Sequence, residues 1–241
     1  PLIRSFKIAF VTCISKMASR FYTFLLILGL AACGGKKAES TETDPAKMRI
    51  TKKTARQILV KYAAQHPDSL VIIETPYGTI KARLYAGTPL HRANFIRLVH
   101  KGYFDSADFY RLVPGMVIQG GHADKTRMRL ENYEVPYEFD PKWFHKRGAL
   151  GMAPYDFYIV QGNIFTEDSV RTINKDSGLP LLPDQLRAYA TVGGAPHLDY
   201  YYTVFGEVVE GMNLVDSIAA EPLVPNTERP RKRIPLKIRT E

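Results

Sequence analysis

The chain has 241 residues, of which 45% are hydrophobic and 24% are charged, and its formal net charge is +9. This composition is that of a globular protein with one sizeable core, and it excludes a disordered or fibrous chain. The positive charge does not indicate a nucleic-acid partner. Residues 1–32 contribute four basic residues and no acid, and the basic run 229–233 contains no interleaved aromatic residue. We interpret that run as a solvated charged turn before the last predicted strand.

Residues 21–32 form an apolar segment that follows basic residues and directly precedes Cys33. The segment is too short to span a bilayer, which needs about 20 apolar residues, and it fits the hydrophobic part of a secretory signal. The stretch from Leu30 to Cys33 reads LAAC and resembles a bacterial lipobox, whose cysteine is acylated and becomes the mature N-terminus. The resemblance implies a signal and upstream extension over residues 1–32. It also implies a lipid-anchored protein of the bacterial cell envelope that faces the periplasm, whereas the alternative is a plain signal with an incidental cysteine.

Residues 33–48 are polar and lack periodicity, so they predict a flexible, lipid-anchored tether. Removal of the signal would also remove Cys13, and acylation would block Cys33, so no disulfide is expected in the mature protein. Residues 51–65 carry apolar side chains at helical spacing, and a His-Pro pair ends the pattern. We therefore predict an N-terminal helix within residues 49–68 that packs on the following domain, with a partner-binding helix as the alternative.

Short strand patterns and turn signals begin at residue 70. Residues 70–75 and 79–85 predict a first hairpin, and residues 90–101 predict an amphipathic helix. Further strands are predicted over residues 108–113, 116–119, 148–153, 156–162, 202–208 and 234–240, and further helices over residues 182–190 and 209–219. The six histidines show no metal-ligand spacing, so we expect neither a metal site nor a cofactor.

Residues 109–121, which read FYRLVPGMVIQGG, are the most informative part of the chain. Two β-type runs flank a Pro-Gly turn, so the stretch predicts a hairpin. Arg111 and Gln119 lie among the apolar positions of its two strands. A buried arginine without an acidic partner nearby in sequence is costly unless it serves a ligand, so this pair indicates a binding or catalytic site. Without the pair, the same pattern would indicate only an ordinary turn.

This stretch resembles the signature of the cyclophilins, the barrel-shaped peptidyl-prolyl isomerases, with Met116 in place of the usual Phe. Three further blocks resemble sequences of the family, at residues 145–153, 157–162 and 203–212. The resemblance covers about residues 70–240 and implies an isomerase domain over residues 69–241. The implied fold is mainly β, a closed eight-stranded antiparallel barrel capped by two helices, to which this chain adds the N-terminal helix.

The reaction of that family is rotation about an X-Pro bond, which breaks amide resonance over a barrier of about 20 kcal/mol. No covalent bond is made or broken, so neither a nucleophile nor a metal is required. The resemblance implies that Arg111 is the catalytic donor to the prolyl nitrogen, whose lone pair is released on twisting, and that Gln119 holds the substrate carbonyl. The implied partners are proline-containing segments of unfolded or exported proteins, bound by a monomer.

The resemblance also implies an apolar pocket for the substrate proline. Its walls would be Met116, Tyr158 and Leu198. Phe157 would lie behind those walls. Tyr202 stands where many cyclophilins have His, and its hydroxyl is expected to bond the substrate backbone. His197 stands where some members of the family have Trp.

The chain departs from the family pattern at residues 153–156. A longer loop that ends in Ser-Gln is usual there, so a backbone contact to substrate is missing and Asp156 replaces the Gln. We expect Asp156 to lie in the substrate site, close to Arg111. A pair between the two would hold the guanidinium away from substrate or tune it. The departure favours a non-catalytic peptide-binding or chaperone module as the alternative function, whereas Arg111 and Gln119 favour an isomerase.

Overall fold

The computed structural model describes residues 50–122, 133–154, 156–175 and 179–241. The predicted signal, the predicted tether and Cys33 lie outside the described residues. Within those four ranges, no helix combines the length and the apolar character that crossing a bilayer requires.

Eight strands of the described residues form one sheet, and every neighbouring pair in it is antiparallel. The strands are β1 (Leu70–Thr75), β2 (Gly78–Leu84), β3 (Asp108–Val113), β4 (Val117–Gly121), β5 (Ala149–Met152), β6 (Phe157–Val160), β7 (Thr203–Glu210) and β8 (Lys237–Thr240). Their order across the sheet is β3-β4-β6-β5-β7-β2-β1-β8. The eight strands predicted from the sequence are therefore confirmed, as is the mainly β class.

The predicted closure of the sheet into a barrel is wrong. The sheet is curled but open, because no ladder joins its edge strands β3 and β8 in the described part of the chain. A short contact stands in for that ladder. The backbone N–H of Phe109 donates to the carbonyl oxygen of Ile234 at 2.9 Å, and the N–H of Leu236 donates to that of Ala107 at 3.1 Å. Asp108 and Pro235 face each other between these two bonds as an isolated bridge, and among the described strands β8 pairs with β1 alone.

Five α-helices occur in the described residues, at α1 (Ala55–Gln65), α2 (Pro89–His100), α3 (Glu167–Lys175), α4 (Pro183–Thr191) and α5 (Met212–Ala219). Four of them match predicted helices. The exception is α3, whose polar sequence buries only Val170 and so gives no clear apolar stripe. The N-terminal helix α1 packs on the domain as predicted, because Ile58, Leu59 and Tyr62 are buried and the Tyr62 hydroxyl is 2.8 Å from Nδ1 of His100 on α2.

The curled sheet encloses the main core on its inner face. Aromatic rings from α2, β6 and β7 meet there, with the ring of Phe95 lying 5.5 Å from that of Phe157 and 5.3 Å from that of Phe205. Strands β5 and β6 are buried on both faces, since a second, smaller cluster of apolar residues covers their outer side. This outer cluster adjoins the hairpin that carries Arg111 and Gln119.

Candidate active site

Strands β3 and β4 place Arg111 directly opposite Gln119. Pro114 and Gly115 form the turn between the strands, and the φ of +77° at Gly115 lies in the left-handed region that favours glycine. A guanidinium N–H (NH1) of Arg111 donates to Oε1 of Gln119 at 3.2 Å. The predicted hairpin is confirmed, and its two polar residues form a hydrogen-bonded pair.

A bulge in β3 brings a third polar side chain to the same pair. Neighbouring residues of a regular strand point to opposite faces of a sheet. The pairing register shifts between Phe109 and Arg111, however, and Tyr110 lies in that irregular step. Nε2 of Gln119 therefore reaches the Tyr110 hydroxyl and donates to it at 2.8 Å, while its oxygen accepts from Arg111.

Arg111 has an acidic partner that its sequence neighbourhood does not show. Its Nε donates to Oε2 of Glu228 at 2.5 Å, and the side chain of Arg111 remains 35% exposed. The backbone N–H of Leu112 also donates to the Glu228 carbonyl oxygen, at 2.7 Å, which fixes the loop that carries Glu228 beside β3. The interpretation of Arg111 as a buried arginine is therefore wrong, and its acidic partner lies 117 residues away along the chain, where residues nearby in sequence could not show it.

Asp156 does not pair with Arg111. Its side chain is buried, Oδ2 accepts the Tyr110 hydroxyl at 3.0 Å, and Oδ1 lies 3.4 Å from the backbone N–H of His122. Burial raises the pKa of Asp156 to about 6, and these two hydrogen bonds offset only part of that rise. Burial also raises the pKa of Tyr110, so its phenol keeps the proton that it donates. The expectation that Asp156 tunes Arg111 by direct contact is wrong.

These contacts form one continuous line of hydrogen bonds, which we call the polar chain. It runs through Glu228, Arg111, Gln119, Tyr110 and Asp156. One end is half exposed at Glu228, and the other end is buried. The part nearest to solvent carries the guanidinium and the amide that the resemblance assigns to catalysis.

The apolar cluster beside the polar chain includes Met116, Val117, Tyr158, Leu198, Val204 and Tyr202. Gln119 faces Tyr158 across the β4–β6 ladder, and Tyr158 faces Gly151 across the β5–β6 ladder. Because directly opposed residues share a face of the sheet, Tyr158 lies beside the polar pair. Gly151 leaves room for the ring, since a Cβ there would lie 2.1 Å from it.

Three of the predicted pocket residues come together in this cluster, and Phe157 lies on the opposite face of β6 within the main core. That position agrees with its expected place behind the pocket. The ring of Tyr202 meets that of Tyr158 edge to face at 6.0 Å. Leu198 is buried and the adjacent His197 is exposed, in a short 3-10 helix at Pro196–Leu198. Partial burial lowers the pKa of His197.

A buried polar network lies beneath Tyr158. The Tyr158 hydroxyl is 2.7 Å from Nε2 of His145, and Nδ1 of His145 is 2.8 Å from Oδ1 of Asp199. The backbone N–H of His145 donates to the same oxygen at 2.9 Å, and the Tyr189 hydroxyl donates to Oδ2 at 2.6 Å. Burial raises the pKa of Tyr158, which keeps the phenol neutral. The network therefore fixes the ring that forms the floor of the apolar cluster.

A cleft opens next to the apolar cluster at the shortened segment. Met152, Ala153 and Pro154 form one side of this cleft, Val135 and Tyr137 form another, and Tyr202 joins it to the cluster. The side chain of Tyr137 is exposed and stacks on Phe139 with ring centroids 5.2 Å apart. Val135 and Tyr137 thus border the cleft opposite the shortened segment.

Sequence reasoning missed four side chains of this site: Tyr110, His145, Asp199 and Glu228. Tyr110 and His145 lie inside the quoted family blocks, so their places were visible but their partners were not. Asp199 follows Leu198 in the sequence and could have been suspected as a buried acid. Glu228 had no local signal, since it directly precedes the basic run 229–233, which was interpreted as a solvated turn. In the described residues, no three His, Cys, Asp or Glu side chains gather as metal ligands.

Comparison with known proteins identifies the family of the chain. A protein-family model described as "Cyclophilin type peptidyl-prolyl cis-trans isomerase/CLD" matches residues 70–240. A candidate peptidyl-prolyl cis-trans isomerase of Staphylococcus saprophyticus is 34% identical over 160 residues, which are 62% of this chain and 80% of that protein. A similarly named protein of Staphylococcus epidermidis is 31% identical over 166 residues, which are 64% of this chain and 83% of that protein.

Solved structures agree on the fold. A crystal structure of a cyclophilin-type peptidyl-prolyl cis-trans isomerase from Cryptosporidium parvum superposes with a TM-score of 0.52 at 22% sequence identity. The match covers 72% of this chain and 98% of that one. A second structure of the Cryptosporidium protein, determined in the presence of the dipeptide Ala-Pro, gives a TM-score of 0.51 at 21% identity, over 71% of this chain and 98% of that one.

Proposed function

The chain belongs to the cyclophilin-type peptidyl-prolyl cis-trans isomerases, and we propose that Arg111, Gln119 and the apolar cluster carry out the isomerisation. One observation carries the proposal. Arg111 and Gln119 are hydrogen-bonded to each other in the same row of the sheet as Tyr158, so a donor pair adjoins an apolar surface. Catalysis of X-Pro isomerisation needs both features, an apolar surface for the proline ring and a hydrogen-bond donor for the prolyl nitrogen.

The hydrogen-bond inventory supports these roles. A guanidinium has five N–H donors. Glu228 and Gln119 accept two of those of Arg111, which leaves three to reach a substrate. Gln119 uses its oxygen for Arg111 and one N–H for Tyr110, so its second N–H is left to donate to a substrate carbonyl. Twisting the amide releases the nitrogen lone pair, and an always-charged donor aimed at it stabilises the twisted state.

Glu228 bears on the rate of the reaction. Its carboxylate neutralises part of the positive charge of Arg111 before substrate arrives, which weakens the donor that the twisted amide requires. This ion pair is the observation that favours the alternative of a weak isomerase that serves mainly as a peptide-binding module. A half-exposed ion pair is worth little, however, typically about 0–1 kcal/mol, so substrate can compete with it.

We further propose that the enzyme acts on proline-containing segments of exported proteins while held to the membrane by lipid on Cys33, as a monomer. The support is the apolar segment 21–32 and the LAAC sequence before the polar tether. Cys33→Ser should release the protein from the membrane fraction or leave an unprocessed precursor, as detected by fractionation and mass spectrometry. A full-sized membrane form with an unmodified Cys33 would contradict the lipid anchor.

The test of the catalytic proposal is a protease-coupled isomerisation assay on an X-Pro peptide. The parent chain should exceed the spontaneous rate, and Arg111→Ala should lower kcat/KM about 10²–10³-fold, as the loss of one preorganised donor does. Arg239→Ala is the matched control, because Arg239 also pairs with a carboxylate, that of Glu74 at 3.1 Å, on strand β8. Near-normal activity of Arg111→Ala, or equal losses in both variants, would overturn the role of Arg111.

A further inference from the structure

The polar chain has only one consistent direction of hydrogen bonding. Arginine can only donate, so Gln119 must turn its oxygen towards Arg111. An ionised carboxylate can only accept, so the Tyr110 hydroxyl must give its proton to Asp156. Tyr110 then offers its oxygen to Nε2 of Gln119, at 2.8 Å. The donor Arg111 at one end of the polar chain and the acceptor Asp156 at the other therefore require the same orientation of the Gln119 amide.

We propose that Asp156 is a positioning residue that sets the amide orientation of Gln119 through Tyr110, and that protonation of its carboxyl releases this orientation. The inference rests on the proposed function of Gln119, because the oriented amide is the group that would hold the substrate carbonyl. Asp156 itself does not touch substrate in this arrangement, since its side chain is buried behind Tyr110.

Protonation of Asp156 would reverse the direction of the hydrogen bonds between Asp156, Tyr110 and Gln119. A protonated carboxyl donates from one of its oxygens, and since Oδ1 faces the backbone N–H donor of His122, the proton would lie on Oδ2, which faces Tyr110. Tyr110 would then accept from Asp156 and turn its own proton towards Gln119, which must present its oxygen in return. The turned amide would face Arg111 with N–H groups, donor against donor, and the bond at 3.2 Å would be lost. Gln119 would no longer be held ready for a substrate carbonyl.

The surroundings of Asp156 keep this carboxyl in place and near its transition. Gly121 lies against it so closely that a Cβ there would be 2.0 Å from Oδ1. Among the described residues, the titratable groups that face it are Tyr110 from β3 and His122 after β4, with Arg111 and Tyr103 beyond Tyr110. Because its pKa is raised to about 6, Asp156 changes its charge between mildly acidic and neutral pH.

The direct test follows the side-chain amide signals of Gln119 by heteronuclear NMR between about pH 5 and about pH 8. These signals should shift with one midpoint near that of Asp156 in the parent chain. They should not titrate in Asp156→Asn. They should not titrate in Tyr110→Phe either, which keeps the carboxylate but removes the hydroxyl that links Asp156 to Gln119. Tyr77→Phe is the matched control, because its hydroxyl also donates to a carboxylate, that of Glu221, and the titration of Gln119 should persist in it.

The functional test measures kcat and KM over the same pH range. In the parent, kcat/KM should fall about tenfold from neutral to acidic solution, mainly through a rise in KM, because Gln119 acts in binding. Asp156→Asn should have a flat profile close to the acidic value of the parent. Superimposable profiles of parent and Asp156→Asn would overturn the inference, as would Gln119 signals that do not titrate in the parent.

Failure of the proposed function would be recognised separately. A folded parent chain that gives no acceleration at any pH overturns the catalytic role of the site, whereas the NMR titration still decides whether Asp156 orients Gln119. Circular dichroism of each variant establishes that it is folded. A carboxyl that merely stabilises the fold would shift the unfolding midpoint of Asp156→Asn while the Gln119 signals kept the titration of the parent, and that result also counts against the inference.

Discussion

The two halves of the site rest on two buried carboxylates with different surroundings. Asp156 stands behind the polar half, and Asp199 stands behind the apolar half. Each accepts a tyrosine hydroxyl, at 3.0 Å from Tyr110 and at 2.6 Å from Tyr189. Asp199 also accepts both the ring and the backbone N–H of His145, whereas the second contact of Asp156 is a long one, at 3.4 Å.

The two carboxylates therefore differ in how freely the hydrogen bonds around them can rearrange. The network at Asp199 is closed, because its donors are themselves buried and end at the Tyr158 ring. It fixes a surface against which a proline ring can pack. The polar chain from Asp156 instead runs to the half-exposed Glu228, so a change at either end reaches Arg111 and Gln119. A buried aspartate thus holds the apolar half of the site rigid, whereas in the polar half a buried aspartate leaves hydrogen bonds that can rearrange.

Breaking the closed network should have the largest effect on stability. Asp199→Ala leaves the donors of His145 and Tyr189 buried without an acceptor, and we expect it to lower the free energy of unfolding by roughly 3–5 kcal/mol. Urea unfolding measures the loss. Glu74→Ala, which removes a half-exposed carboxylate paired with Arg239, should cost about 1 kcal/mol or less. Equal losses in the two variants would contradict the contrast between a closed network and a surface pair.

The buried end of the polar chain should make stability depend on pH. The folded pKa of Asp156 is raised from 3.8 to about 6, so the folded protein binds this proton more tightly than the unfolded chain does. Stability should therefore fall as pH rises from about 4 to about 6, by on the order of 3 kcal/mol. Asp156→Asn should remove that fall, as measured by chemical unfolding at a series of pH values.

Glu74→Gln provides the comparison for this series, because the carboxylate of Glu74 is exposed on β1 and its removal should leave the fall in place. A parent chain whose stability is constant between about pH 4 and about pH 6 would show that Asp156 is ionised as readily in the folded as in the unfolded protein. That result would remove the difference between the two carboxylates.

The exposed end of the polar chain should have the smallest effect, and on rate alone. Glu228→Gln keeps a hydrogen-bond acceptor for Nε of Arg111 but removes the negative charge. We expect kcat/KM to rise about three- to tenfold, because the guanidinium regains positive potential for the prolyl nitrogen, an effect of about 1 kcal/mol. Glu221→Gln, which alters a carboxylate bonded to Tyr77, should leave kcat/KM unchanged. A lower rate in Glu228→Gln would mean that the ion pair positions Arg111.

Much of the fold could be predicted from the sequence because its signals are local. Short β-type runs bounded by turn signals identified the eight strands, and helical spacing identified four of the five helices in the described residues. The helix α3 was missed because a mostly exposed polar helix has little periodicity to detect. The closure of the barrel was predicted wrongly, since pairing between β3 and β8 depends on how two segments far apart in the sequence meet, and in the described residues a bridge of Asp108 with Pro235 forms there instead of a ladder.

The sequence by itself determined the hairpin, the places of Arg111 and Gln119 on its two strands and the separation of Tyr158 from Phe157. Strand alternation and the short Pro-Gly turn fix these relations within a few residues. Only the tertiary structure decided which carboxylates the site uses. Glu228 reaches Arg111 across 117 residues, and Asp156 is turned to Tyr110 by a bulge and by burial. Long-range ion pairs and raised pKa values arise from packing, because burial and partner distance exist only once the chain has folded.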